Sequence, residues 1–147
     1  VNLKGAGAAG GLGAGLVAFT QARMQSGIEL VLEATNMAQH IRGADLVITG
    51  EGCIDFQTTF GKTPSGVAKF AKKHHVPTVA IGGVIADDAN AMFAHGVDGL
   101  ESAFAREMPL DEAMENSRIY IANAAERVIC LIMIGKNIAA KKLKRRK

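Results

Sequence analysis

Two carboxylates, a lysine and a run of hydroxyls crowd into one short stretch, ITGEGCIDFQTTFGKTPSG at residues 48–66. Glu51 and Asp55 are the acids, Lys62 is the cation, and Thr58, Thr59, Thr63 and Ser65 carry the hydroxyls. Acids beside anion-binding donors are what a metal–phosphate site requires. One carboxylate can hold Mg²⁺ while another accepts the proton of an attacking hydroxyl. The plainer alternative has Glu51 and Asp55 capping turns and Lys62 solvated at the surface, and spacing alone does not separate the two.

The triplet Gly61-Lys62-Thr63 matches the end of the P-loop pattern GxxxxGK[ST]. That pattern puts its first glycine at 56, where the sequence has Phe56. The stretch from Gly50 to Thr63, read as one loop, is also too long for a P-loop, so the Walker reading is rejected. The underlying physics remains available. A loop that leaves the carboxyl end of a parallel strand and enters a helix at Thr63-Pro64-Ser65-Gly66 meets a ligand with unpaired amides and the positive end of the helix dipole.

Other chemistry-bearing groups are weaker. Gly5-x-Gly7-x-x-Gly10 is a literal GxGxxG, but the dinucleotide fingerprint needs a strand before it and only Val1–Lys4 precede it. The glycines serve either a substrate or anion contact through bare backbone, or close packing at a helix start. His74 and His75 are adjacent and diverge around a helix, so no metal is expected there. Asp87 is expected to cap a helix, although Asp87 and Asp88 could together reach a ligand. Cys53 has no histidine partner and reads as inert.

These residues need a frame. Three short apolar runs read as buried strands: Asp45–Thr49, Pro77–Gly82 and Val97–Ala103. Each is followed by a helical pattern. Pro64–His75 has Thr63 as N-cap and Pro64 at N1. Asp88–His95 ends at Gly96. Pro109–Met133 is the longest, with Asp111 and Glu112 in its first turn. Two more helical segments, about Ala8–Met24 and Ile28–Ile41, come first. Strand–helix units in series imply an α/β fold with a parallel sheet and flanking helices. Three strands make half of a doubly wound domain, and a bare sheet edge is a liability. The missing strands are therefore expected from an absent N-terminal part of the same protein, or from a second copy in a homo-oligomer.

Composition narrows the class. The 147 residues are 48% hydrophobic and carry 17 glycines and no tryptophan, enough for one domain with a core. The net charge of +3 is set by KKLKRRK at 141–147, and removing its six cations leaves −3. That block could bind nucleic acid or anionic lipid. It reads instead as a solvated, disordered basic tail over 136–147, and nucleic-acid binding is not expected. Two cysteines without a CxxC, and no signal-peptide pattern, point to a reduced, cytoplasmic protein. The glycine-rich stretch and the short run VICLIMI do not make a membrane span. The start at Val1, running almost at once into glycines, reads as a piece of a longer chain.

Taken together, three stretches resemble the carboxyl-terminal part of the bacterial type I glycerate kinase family: GAGAAGGLG at 5–13, RGADLVITGEGCIDFQTTFGKTPSGVAKFAKKH at 42–74 and AHGVDGLESAF at 94–104. The resemblance implies a two-domain α/β enzyme that moves the γ-phosphoryl group of ATP to glycerate with Mg²⁺. One domain is flavodoxin-like and discontinuous, with the other inserted into it. On that basis residues 1–43 end the inserted domain and 44–135 form the second half of the flavodoxin-like one. The family pattern falls on Gly50, Glu51, Gly52, Ile54, Asp55, Gln57 and Thr58, then Gly61, Lys62 and Pro64, with the glycine run at Gly5, Gly7, Gly10 and Gly11. It implies Asp55 as base or metal carboxylate with Glu51 as its partner. It also implies phosphate or substrate contacts from Lys62, Thr63, Ser65 and the glycines. Cys53 stands where the family often has Arg, and Val84 where it commonly has Ser, so the site could be weakened or altered. A non-catalytic anion- or nucleotide-binding module is the alternative reading.

Overall fold

The computed structural model describes residues 5–145. Val1–Lys4, where a strand ahead of the glycine run would have to lie, and Arg146–Lys147 at the end of the basic block fall outside the described residues.

Three parallel strands form one sheet in the order β1 (Val47–Ile54), β2 (Thr78–Ile85), β3 (Gly99–Ser102). Val47 pairs with Thr78 and Ile54 with Ile85, and Val79 pairs with Gly99. The helices are α1 (Leu12–Thr20), α2 (Gly27–Ala34), α3 (Met37–His40), α4 (Thr63–Lys73), α5 (Leu110–Glu115) and α6 (Ser117–Lys144). Single 3-10 segments span Ala8–Gly11, Phe56–Phe60 and Ala89–His95.

Side-chain alternation along β2 sends neighbours to opposite faces, and the two faces carry different helices. Ala80 packs with Ile54, with Ala68 of α4, and with Ala89, Met92 and Val97. Ile81 packs with Ala103 and with Ala124 of α6. The α/β class with a helix-flanked parallel sheet, expected from the strand–helix repeats, is thus observed. Ile54 and Met92 are fully buried, and truncating either to alanine would cost about 2–5 kcal/mol.

Residues 27–41 pack directly on α4. Ile41 joins Ala71 and Val76 in a small core, and Ile28 lies so close to Gly66 that a Cβ added there would sit 2.4 Å from its Cγ1. The glycine-rich N-terminal segment is peripheral. None of residues 5–20 with described burial is buried, and the Met24 side chain lies against both Gly5 and Gly13.

Several boundaries depart from expectation. Strand β1 runs on to Ile54, so Gly50, Glu51 and Gly52 lie on the strand rather than in a long loop. Glycines were read as breakers, but here they admit neighbouring backbone: a Cβ at Gly50 would meet the Ile81 carbonyl at 2.7 Å, and one at Gly83 the Gly52 carbonyl at 2.6 Å. Lys62, not Thr63, is the α4 N-cap, which places Pro64 in the first turn one position later. Asp88, not Asp87, occupies the cap position before Ala89–His95, and that segment is a 3-10 helix. The long helix breaks at Asn116, whose amide donates back to the Glu112 carbonyl at 3.1 Å.

The basic segment continues α6 to Lys144 instead of forming an irregular tail. Ala, Lys and Leu are strong helix formers, and cations in the last turn suit the helix dipole. No helix among the described residues is long and apolar enough to cross a membrane.

Candidate functional site

Strand β1 delivers Glu51 and Asp55 to its carboxyl end, and the start of α4 delivers Lys62 opposite them. The Lys62 ammonium lies 3.8 Å from Glu51 Oε1 and 3.8 Å from Asp55 Oδ1. All three side chains are partly open to solvent, at 39% for Lys62, 30% for Glu51 and 29% for Asp55. These are ion pairs at the long end, too far for hydrogen bonds. They gather three charges at the strand end where ligands enter open α/β sheets.

Asp55 is held in place by the turn it opens. Its Oδ1 accepts from the Thr58 amide at 2.9 Å and from the Thr58 hydroxyl at 3.1 Å. The Thr58 hydroxyl oxygen in turn accepts from the Asp55 amide at 3.2 Å. This reciprocal arrangement is a capping box on the Phe56–Phe60 segment. Burial of the carboxyl works against its ionisation. The Thr58 hydroxyl and amide, the Lys62 ammonium and the Gln57 amide outweigh that, and they hold Asp55 below its ordinary value of 3.8. Asp55 therefore caps a turn and also presents a charge, which the sequence had posed as alternatives.

Glu51 differs. Its Oε2 is buried and has no hydrogen-bond partner among the described residues, an arrangement that needs an explanation in a native fold. It lines a cavity of about 440 Å³ whose walls include Ile48 and Gly50 from β1, Gly83 from β2, Phe104, and Ile121 from α6.

The remaining expected site residues divide. Gly50 and Gly52 line the same cavity as Glu51. Ser65 is fully buried and donates its hydroxyl to the Lys62 carbonyl at 3.1 Å, so it stiffens the turn that carries Lys62. Thr63 is exposed as the first residue of α4. Thr58 is fully buried against Asp55 and Thr59 bonds the Phe56 carbonyl, so neither hydroxyl is presented to a ligand. Gly61 follows the 3-10 segment at φ 93°, a turn conformation that suits glycine. With Ser65 it borders a different groove, between α2 and α4. Gly5, Gly7, Gly10 and Gly11 do not line the cavity that holds Glu51. Cys53 and Val84, where the resemblance leads one to expect other residues, are cross-strand partners. Both are exposed, and neither lines the cavity that holds Glu51.

One residue was passed over. Asp88 Oδ1 accepts from the Phe56 amide at 3.1 Å, across 32 residues of sequence. No local pattern signals such a contact; only the position of Asp88 after β2 hinted at it.

The family model described as the glycerate kinase family matches residues 1–133. The chain belongs to the glycerate kinase family. Over 127 residues it is 51% identical to a glycerate kinase of Halalkalibacterium halodurans, covering 86% of this chain and 33% of that protein. Over 134 residues it is 44% identical to a glycerate 2-kinase of Escherichia coli, covering 91% and 35%. The crystal structure of a protein assigned as glycerate kinase 2 from Salmonella typhimurium LT2 superposes with a TM-score of 0.67 at 39% identity. It covers 90% of this chain and 34% of that one. The chain thus spans about a third of the length of the relatives it matches, and residues 134–147 lie beyond the family match.

Proposed function

We propose that this chain is the carboxyl-terminal portion of a cytoplasmic glycerate kinase, which transfers the γ-phosphoryl group of ATP to a hydroxyl of D-glycerate. The observation that carries the reading is the Glu51–Lys62–Asp55 group at the carboxyl end of β1, in a chain of this family. Phosphoryl transfer leaves little covalent work to the protein, so positioning and electrostatics supply most of the rate. Lys62 and the first amides of α4 receive phosphate charge. The family membership supports nucleotide use, and ATP with Mg²⁺ is our assignment.

The residues present fit such a metal. Mg²⁺ is usually bound by one or two carboxylates, with water and substrate phosphates completing its shell. Glu51 and Asp55 are such a pair, and the Glu51 Oε2 atom is buried without a partner among the described residues. Among the described residues no group of three metal-ligating side chains lies together. Bound there, Mg²⁺ would neutralise charge on the phosphates. Asp55, held ionised by Thr58 and Lys62, is suited to attract that cation and is a poor proton acceptor near neutral pH. Glu51, with an oxygen in reserve, takes the proton of the acceptor hydroxyl.

Strand β1 is an edge of the described sheet, and the rest of a longer protein completes both the sheet and the cleft. The test is a chimera in which this chain replaces the matching third of the Halalkalibacterium halodurans protein, assayed for ATP-dependent phosphorylation of glycerate. Turnover by the chimera, at least 100-fold lower with Asp55→Asn and absent from the isolated 147-residue chain, is the expected result. A folded chimera without turnover, or one indifferent to Asp55→Asn, refutes the proposal. In the first case a non-catalytic anion-binding module takes its place.

A further inference from the structure

The residue before Asp55 and the residue after it are both tied to one short turn that follows β2. The Ile54 carbonyl accepts from the Ala86 amide at 2.9 Å. The Phe56 amide donates to Asp88 Oδ1 at 3.1 Å. The turn itself is closed by the Ala89 amide on the Ala86 carbonyl at 3.0 Å. It stands on a rigid base, since Ala89 and Met92 are fully buried in the core shared with Ile54 and Ala68. Asp55 is therefore suspended between two fixed points two residues apart on a different strand–helix unit.

We propose that Asp88 is a positioning residue. Its carboxylate fixes the Phe56 peptide and so aims the Asp55 carboxylate, which is separately gripped by Thr58 from within its own turn. One anchor alone leaves the Ile54–Phe56 backbone free to rotate about the Ile54 carbonyl. The second removes that freedom, and with it the swing of Oδ2, the Asp55 oxygen that makes no hydrogen bond to Thr58. The charged groups around Asp55 are Glu51 on β1, Lys62 at the start of α4, and Asp88 itself. Asparagine presents an acceptor of the same shape without the charge, so Asp88→Asn keeps the hydrogen bond that Asp88→Ala removes. This assignment rests on the proposed role of Asp55, but its test does not use turnover.

The experiment is amide hydrogen exchange by NMR on the 147-residue chain, comparing Asp88→Ala with Asp88→Asn. The Thr58 amide is the reporter, since it donates to Asp55. Losing one exposed hydrogen bond predicts about fivefold faster exchange at Thr58 in the alanine variant than in the asparagine variant. Exchange at Ala80 and Ile81 in β2 stays the same in both. Equal Thr58 exchange in the two variants overturns the proposal. Uniform acceleration at Thr58, Ala80 and Ile81 overturns it too, because it shows a general structural role. Should Asp88→Ala not fold, Asp88→Ser, whose hydroxyl is shorter, takes its place under the same outcomes. These readouts report the Asp55 cap directly, so failure here leaves the kinase reading standing, and failure of the chimera leaves this one standing.

Discussion

Gly66→Ala has two opposed effects, and its sign reports whether α2 is docked on α4. Gly66 lies inside α4, where exchanging glycine for alanine ordinarily stabilises a helix by about 1 kcal/mol. The new methyl would sit 2.4 Å from Ile28 Cγ1, 2.8 Å from Cγ2 and 3.1 Å from Cβ. The last distance matters, because a Cβ cannot be moved out of the way by a rotamer change and the α2 backbone must shift. Overpacking of that kind costs about 1–3 kcal/mol. The net expectation is a loss of about 0–2 kcal/mol, where an undocked α2 would give a gain of about 1. Ile28→Ala removes Cγ1 and Cγ2 and leaves only the 3.1 Å contact to Cβ, so in that background Gly66→Ala should cost less than in the parent. A double-mutant cycle should then show a coupling of about 1–3 kcal/mol. Urea unfolding followed by circular dichroism measures all four variants. Gly66→Ala stabilising equally in both backgrounds would mean that the contact does not exist in solution, and the packing of residues 27–41 on α4 would have to be abandoned.

Thr58→Val keeps the shape of a fully buried side chain but removes the hydroxyl on Asp55, so the Asp55 carboxyl should titrate higher, toward 3.8, in ¹³C-detected NMR. The same lowered value sets a pH dependence. A depressed carboxyl contributes stability that is fully present above its unfolded value of about 3.9 and is lost as pH falls through the folded value. The stability gap between the parent and Asp55→Asn should therefore be constant above about pH 5 and narrow below pH 4; a gap that widens on acidification would contradict the Thr58 cap. Gly83→Ala forces a methyl to 2.6 Å from the Gly52 carbonyl and should cost about 1–3 kcal/mol, read as a lower midpoint in urea. Arg127 ties α6 to β3 through Glu101 at 2.7 Å and the Ser102 carbonyl at 2.8 Å. The pair is partly exposed, so Arg127→Ala should lower stability by only about 1 kcal/mol in the same assay.

The sequence was most informative where burial and periodicity act over several residues. The cores of all three strands, the α4 stripe and the α/β class were legible because apolar runs bounded by Gly, Pro and Asp leave few alternatives. The acid–lysine group was legible too, since Glu51, Asp55 and Lys62 sit within 12 positions and the turn between them brings them together. What was not legible depended on partners distant in the chain. Gly50 and Gly52 look like loop residues until the Ile81 carbonyl and its neighbours on β2 are in place. Thr58 looks like a ligand-facing hydroxyl until the capping box turns it inward. Asp88 has no local reason to bond Phe56. The GxGxxG run at 5–10 illustrates the converse: a familiar spacing can stand apart from the cavity that holds Glu51.

The close contact of β1 and β2 at Gly50 and Gly83, where an added Cβ would meet neighbouring backbone, has a consequence for how recognition there can change. Where strands meet without side chains between them, the surface offered to a bound molecule is the peptide itself, with its fixed dipoles and fixed spacing. Point substitution cannot retouch such a surface, because nearly any new side chain drives the strands apart before it reaches the visitor. Altered preference for a bound molecule would have to be written in the surrounding walls, at positions such as Ile48, Phe104 and Ile121, while the floor is inherited unchanged.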